Sequence, residues 1–318
     1  MTRTKALVES SLLVSLAVVL FLASNTIPIV GIAFTFLCPA PLVVLGLRHS
    51  LGRAALGAAV ATVIVSIVLG FVGGLFFLFG FAVLGVALGA LGKKRENAVE
   101  IALYGILVSL ASKLILMVLV TRLTGVNPFS LDTAEFDAIL DRVLSLYSKT
   151  GLIPRESLSA MRRQFEATFR FIPQVFPALL TIAAAFDSIL SYAVSRAVLI
   201  RLGRGVLPPL PSFGEWRFPR NLFWALLASA ILPFLGGNGP WGEILQRAGI
   251  NLRLLVSLLF MVQGVSVAWA LLGRTRLSSR AARGFIIFVA ILVPVLSYLL
   301  MIVGLVDIWW DLRARLWR

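Results

Sequence analysis

The sequence predicts an all-α fold, in the form of a polytopic bundle of membrane-spanning helices. Two observations indicate this class. Hydrophobic residues make up 59% of the 318 residues, and the mean hydropathy is +0.99, far above that of a soluble domain. Apolar runs of about 18 residues or more, long enough to cross a bilayer as a helix, also recur along the chain.

The charged residues fit the same class of protein. The chain has 29 Lys and Arg against 14 Asp and Glu, which gives a formal net charge of +15. Most basic residues lie in short turns between apolar runs and not in one patch interleaved with aromatic residues. We therefore expect contact with anionic membrane lipids and no nucleic-acid partner.

The first apolar segment, 6–24, follows Arg3 and Lys5, so we expect a cytoplasmic amino terminus. No small-residue cleavage site follows where a signal peptide would have one, and we expect a retained first span. Small residues recur on it at four-residue spacing: Ala6, Ser10, Ser11 and Ser15. This spacing allows close approach of a partner helix, but it is also common in ordinary membrane helices, and both interpretations are open.

The second segment, 27–47, is apolar but interrupted by three prolines, Pro28, Pro39 and Pro41. Because proline frees a backbone carbonyl that lipid cannot satisfy, we predict a discontinuous helix facing the protein interior. Such a break either lines a binding site or is a packing kink. The next segment, 51–91, is too long for one span, and we predict a helical hairpin with its break around Gly70.

Two charged residues lie inside apolar runs and define the candidate site. Lys113 is within 101–121, and Asp187 is within 171–202. A charge at the centre of a bilayer costs roughly 2.5 to 3.5 kcal/mol, so each side chain needs a partner. If the two runs form an antiparallel pair, both residues lie at the same depth. We predict an ion pair that serves either ion or substrate coupling or simply the joining of two helices.

The same candidate substrate or ion pathway includes three further residues: Gln263, Pro39 and Pro41. Gln263 lies near the centre of the apolar segment 251–272 and is expected to form an interhelical hydrogen bond. The polar segment 124–172 separates the Lys113 and Asp187 helices. Two amphipathic helices are expected in it, one from near Asp132 and one over 156–169, as a cap over the bundle or as a solvated connector.

Three more apolar segments follow, 221–235, 251–272 and 284–306. We divide the chain into three parts, 1–98, 99–202 and 203–318, of which the middle part holds the Lys113 and Asp187 helices. With nine crossings the basic carboxyl end would lie outside, against the positive-inside tendency, so eight or nine spans are predicted. Four charged residues near this end are expected to pair at the membrane interface: Asp307 and Asp311 with Arg313 and Arg315. Arg196 is expected to snorkel to the interface.

The sequence offers no enzymatic or cofactor chemistry that we recognise. It has one cysteine, Cys38, and one histidine, His49, too few for a Cys- or His-rich metal site. It has no P-loop, no G-x-S-x-G and no H-E-x-x-H motif. We expect no catalysis, no cofactor and no metal, so active transport would need a partner ATPase.

Four stretches, in this order, resemble the YybS-like family of bacterial inner-membrane proteins: 39–49, 218–220, 263–264 and 304–313. The amino-terminal half is also distantly similar to the S components of energy-coupling-factor transporters and to the cell-shape protein MreD. These resemblances imply a bacterial inner-membrane location. They also imply a small-molecule binding or transport component that works with an ATPase and a coupling subunit. The coupling subunit would dock on the face of Ala6, Ser10, Ser11 and Ser15. The MreD likeness implies the alternative, a membrane scaffold that recruits protein partners.

Overall fold

The computed structural model describes residues 3–27, 31–125, 133–150, 154–203, 207–237, 239–274 and 279–315. Within these ranges the regular structure is helical, which confirms the predicted all-α class. In chain order the helices are α1 (Arg3–Thr26), α2 (Gly31–Leu37), α3 (Ala40–Arg48), α4 (Leu51–Phe77), a π-helical turn (Leu78–Ala82), α5 (Val83–Lys94), α6 (Ala98–Thr124), α7 (Thr133–Thr150), α8 (Arg155–Arg201), a 3-10 turn (Phe213–Glu215), α9 (Leu222–Leu235), α10 (Pro240–Leu272), α11 (Arg280–Leu292), α12 (Pro294–Trp310) and α13 (Leu312–Arg315).

The chain forms two compact units. The first consists of Met1–Ser130 and Leu179–Leu210, and the second of Leu131–Ala178 and Pro211–Arg318. In the first unit the discontinuous helix α3 packs against α1, α4 and α5, and in the second unit α10 packs against α9 and α12. Helix α8 contributes residues to both units.

Several helices are long enough to span a membrane. By length and composition, five described helices could cross a membrane, or up to six if the bent pair α11 and α12 is one span. This confirms a helical membrane protein, but not the predicted count of eight or nine. The apolar segments Phe34–Arg48 and Leu222–Leu235 are shorter than these candidates.

The longest candidate, Leu51–Lys94, folds back on itself at Gly70. Gly70 has φ +79°, a left-handed conformation that only glycine adopts without strain. After it, a Cβ placed on Gly74 would lie 3.2 Å from the Thr62 carbonyl oxygen, although the two residues would be about 18 Å apart in a straight helix. The predicted hairpin break at Gly70 is therefore confirmed.

The break in the second apolar segment is also confirmed. Helix α2 ends at Leu37 and α3 begins at Ala40, with Pro39 at the junction. Every residue from Ala40 to Gly46 is buried, as expected for a discontinuous helix inside a protein. Pro28, another of the predicted breaking residues, lies outside the described residues.

Two helix boundaries differ from the sequence predictions. The amphipathic helix over 156–169 and the Asp187 helix are not separate, because α8 runs for 47 residues through Pro173 and Pro177. The last span, predicted over 284–306, is broken at Pro294, where α11 and α12 meet at 105°. Helix α7 begins at Thr133, close to the predicted start near Asp132.

Candidate functional site

The first unit contains the predicted ion pair between α6 and α8. Lys113 Nζ lies 2.5 Å from Asp187 Oδ2 and donates a hydrogen bond of 2.8 Å to Ser109 Oγ, one helical turn earlier on α6. The exposed fractions of the Lys113 and Asp187 side chains are 15% and 22%. Two opposite charges therefore meet inside apolar helices without being completely enclosed.

Small and hydroxyl side chains bring α6 and α8 together around this pair. Ser188, next to Asp187, is buried and donates to the Ala102 carbonyl at 2.9 Å. A Cβ on Gly105 would overlap the Ser188 hydroxyl, so a larger residue at this position would have to displace that hydroxyl. Ser112 donates to the Phe79 carbonyl and so joins α6 to the π-helical turn as well. The α6–α8 contact is thus polar and closely packed near Lys113.

The predicted pathway prolines lie elsewhere in the first unit. The Pro39 carbonyl would lie 2.8 Å from a Cβ on Gly85, so the broken helix packs directly on α5. Pro41 is buried within α3. Neither proline is among the groups that bond Lys113 or Asp187 in the part of the chain that the structure describes.

Gln263 belongs to the second unit and has different partners. Its Nε2 donates to Asp307 Oδ2 at 2.7 Å, which confirms the predicted interhelical hydrogen bond, here between α10 and α12. Its Oε1 accepts from the Phe218 N–H at 3.1 Å. The structure does not join Gln263 to the Lys113–Asp187 pair but to a second polar cluster.

Arg313 is the centre of this second cluster. Its Nη2 donates to Asp307 Oδ2 at 3.0 Å and to the Trp216 carbonyl at 2.8 Å, while Nη1 donates to the Gly214 carbonyl. Ser266 adds a hydrogen bond of 2.7 Å to the Phe213 carbonyl. The cluster therefore fixes the loop around the 3-10 turn onto α10 and α13.

The terminal acidic residues pair only in part as expected. Asp307 does pair with Arg313, but the pair is buried and not at an exposed interface. Asp311 pairs with Arg217, at 2.8 Å, and not with Arg315. Arg196 was expected to snorkel; its Nε donates to the Leu207 carbonyl at 3.2 Å, back onto the chain of the first unit.

The predicted docking residues of α1 do not share one face. Ala6 is buried, and Ser10 is half-buried and donates to the Ala6 carbonyl of its own helix at 2.7 Å. Ser11 and Ser15 are exposed. Docking of a partner helix on these residues stays a prediction, and of the four only Ser11 and Ser15 have exposed side chains.

Sequence reasoning missed an acidic residue in the first span. Glu9 forms an ion pair with Arg48 at the end of α3, and its Oε2 lies 3.5 Å from His49 Nε2. Its position just inside an apolar run was the available signal. Among the described residues, no three His, Cys, Asp or Glu side chains form a cluster that could hold a metal ion.

The chain belongs to the family described as predicted membrane protein (DUF2232), whose model matches residues 15–308. It is also 24% identical, over 315 residues, to the uncharacterised protein YybS of Bacillus subtilis, and the match covers 99% of both chains. No solved structure is significantly similar to it. These findings confirm the resemblance to the YybS-like family, whereas the likeness to S components and to MreD stays a prediction.

Proposed function

We propose that this membrane protein binds a small polar or charged solute and moves it across the bilayer, driven by a partner ATPase or by an ion gradient. The contact between Lys113 Nζ and Asp187 Oδ2 carries the proposal. A pair of apolar side chains would join α6 and α8 as well or better, because withdrawing two charges from water offsets most of their attraction. Retaining both charges in an apolar span points to a use for them.

The partial exposure of the pair supports a binding role. With 15% and 22% of the two side chains exposed, neither is sealed off by the surrounding helices, as binding of a solute at this pair would require. A solute anion competing for Lys113, or a proton or cation competing for Asp187, would release the other partner. A bound solute would thereby change which helix contacts are favoured, as a transport cycle requires.

Asp187→Asn tests the proposal, with Asp141→Asn as the matched control. Asp141 pairs with Arg162 on the exposed α7–α8 contact, so its change also removes an acidic charge, but outside the spans. Mass spectrometry of small molecules retained by the detergent-purified chain is expected to show a species lost only in Asp187→Asn. Equal retention by all three proteins would contradict the proposal. Size-exclusion elution at an unchanged volume controls for folding.

A second candidate function, a scaffold for protein partners, is favoured by the outer face of α1. Ser11 and Ser15 are exposed there, and each is followed by an exposed leucine, Leu12 or Leu16. Small residues next to leucines permit close contact with a partner helix. Replacing both serines by leucine is expected to abolish co-purification of a partner from membranes, while retention of small molecules stays unchanged.

A further inference from the structure

Helix α12 runs antiparallel to α10 within the second unit. A Cβ on Gly264 would meet the Leu300 carbonyl, and a Cβ on Gly304 would meet the Phe260 carbonyl. A step of four residues back along α10 therefore matches a step of four residues forward along α12. Because α10 is a candidate membrane span, α12 has the direction of a crossing helix.

The two ends of α12 have the positions that a crossing requires. The helix has 17 residues. Its length is therefore about 25 Å, close to the thickness of about 30 Å of the hydrocarbon core. Trp309 and Trp310 are exposed at its carboxyl end, and tryptophan is enriched at the boundary between membrane and water. Pro294, at the amino end, accordingly lies near the opposite boundary.

Helix α11 begins and ends at this opposite boundary. Pro294 lies ten residues before Gly304, or about 15 Å along α12, and so near the level of Leu272, the last residue of α10. At the other end of α11, Arg283 Nη1 would lie 3.0 Å from a Cβ on Gly273. The axes of α11 and α12 meet at 105°. If α12 follows the membrane normal, α11 is within about 15° of the membrane plane.

The surface of α11 suits a position at the edge of the hydrocarbon. The sequence between Leu254 and Val306 contains four arginines, all at positions 274–283, and no acidic residue. Basic side chains next to a membrane attract anionic lipid headgroups. Beyond the arginines, Phe285, Phe288 and Leu292 are each more than half exposed. Exposed apolar side chains of an interfacial helix enter the hydrocarbon below the headgroups.

We propose that α11 lies in the membrane plane just below the lipid headgroups, binds lipid through its exposed apolar side chains, and leaves α12 alone to cross after α10. Lipid is the partner that the charge pattern favours, because the arginines stand at the level where lipid phosphates lie and the apolar residues follow directly. The position of α11 depends on the second unit alone and not on whether a solute binds at Lys113 and Asp187.

The test measures the depth of labelled positions in vesicles of phosphatidylcholine and phosphatidylglycerol, by fluorescence quenching with lipids that carry a nitroxide at one of two depths. In the full chain, with Cys38 changed to Ala, a fluorophore is attached through Phe285→Cys or Leu292→Cys, both exposed positions of α11. Seven residues separate the two labels by about 10 Å along the helix. In the proposed position their depths are expected to differ by only about 3 Å, because α11 is nearly parallel to the membrane.

The matched control is a pair on α12, Val295→Cys and Ile302→Cys, which are also exposed and seven residues apart. Their depths are expected to differ by about 10 Å, with Val295 as shallow as the α11 labels. If a variant of the α11 pair does not fold, Ile286→Cys and Val293→Cys give a second exposed pair with the same spacing.

Two outcomes would overturn the proposal. A depth difference of about 10 Å between the α11 labels would mean that α11 crosses the membrane as part of a broken span. Lipid quenching of the α12 labels without quenching of the α11 labels would mean that α11 is covered by protein, such as a second copy of the chain, or lies outside the membrane. Equal and shallow depths on α11 together with the steep difference on α12 support the proposal.

Discussion

Arg313 Nη2 lies 3.0 Å from Asp307 Oδ2, with only 1% and 2% of the two side chains exposed. This is the most deeply buried ion pair in the described part of the chain. The same guanidinium bonds the carbonyls of Gly214 and Trp216, so the pair joins the end of α12 to a loop almost a hundred residues earlier. It is therefore expected to be structural.

The first prediction is that Arg313→Met strongly destabilises the second unit. The change leaves the Asp307 carboxylate buried without its cation and removes two donors from backbone carbonyls. Breaking a buried pair from one side costs about 3–5 kcal/mol. Thermal unfolding in detergent, followed by tryptophan fluorescence, is expected to show a lower Tm. Arg217→Met is the control, because the Arg217–Asp311 pair is exposed and such pairs contribute about 0–1 kcal/mol. Equal effects of the two changes would contradict a structural role for Arg313.

The second prediction concerns the reversal at Gly70. No atom lies within 4 Å of an added Cβ, but φ is +79°, so Gly70→Ala is strained by its backbone alone. A cost of about 1–2 kcal/mol is expected, measured as a lower Tm. Gly52→Ala, on the same helix and also in open space, is expected to be neutral or slightly stabilising. A neutral Gly70→Ala would mean that the hairpin does not require the left-handed residue.

The two ion pairs show what the sequence could predict and what it could not. Lys113 and Asp187 were predictable because each is an isolated charge at a similar depth in a long apolar run. Arg313 lies in a short polar tail, and its burial depends on a loop far away in the chain, which no local pattern reveals. The continuity of α8 was also unpredictable, since proline normally ends a helix. Asn251 of α10, which donates to the Gln174 carbonyl in α8, is 77 residues away in the chain. The bend between α11 and α12 did have a signal, Pro294.

The third prediction is that alanine at Gly264 or Gly304 separates α10 from α12. A Cβ on Gly264 would overlap the Leu300 carbonyl, and one on Gly304 would overlap the Phe260 carbonyl. Because the obstacle is backbone and not a flexible side chain, the helices must move apart. A loss of about 1–3 kcal/mol or more is expected for each, seen as a lower Tm. Gly284→Ala on α11 has open space and is the control. If both alanine variants unfolded at the Tm of the parent, the close backbone contact between α10 and α12 would be refuted.

The last prediction separates a functional Lys113–Asp187 pair from a purely structural one. Lys113→Gln or Asp187→Asn alone leaves one charge in an apolar span without its partner. Because both side chains are partly exposed, each single change is expected to cost no more than about 3 kcal/mol. The double variant carries no charge and is expected to recover most of the lost Tm.

Solute retention is expected to behave differently from stability in the same three variants. A neutral amide pair restores the contact between α6 and α8 but offers no charge for which a solute or a proton could compete. Retention, measured by mass spectrometry, is therefore expected to stay absent in the double variant even when its Tm has recovered. If retention returned together with stability, the charges would serve only to hold the two helices, because an uncharged contact would then support the same binding.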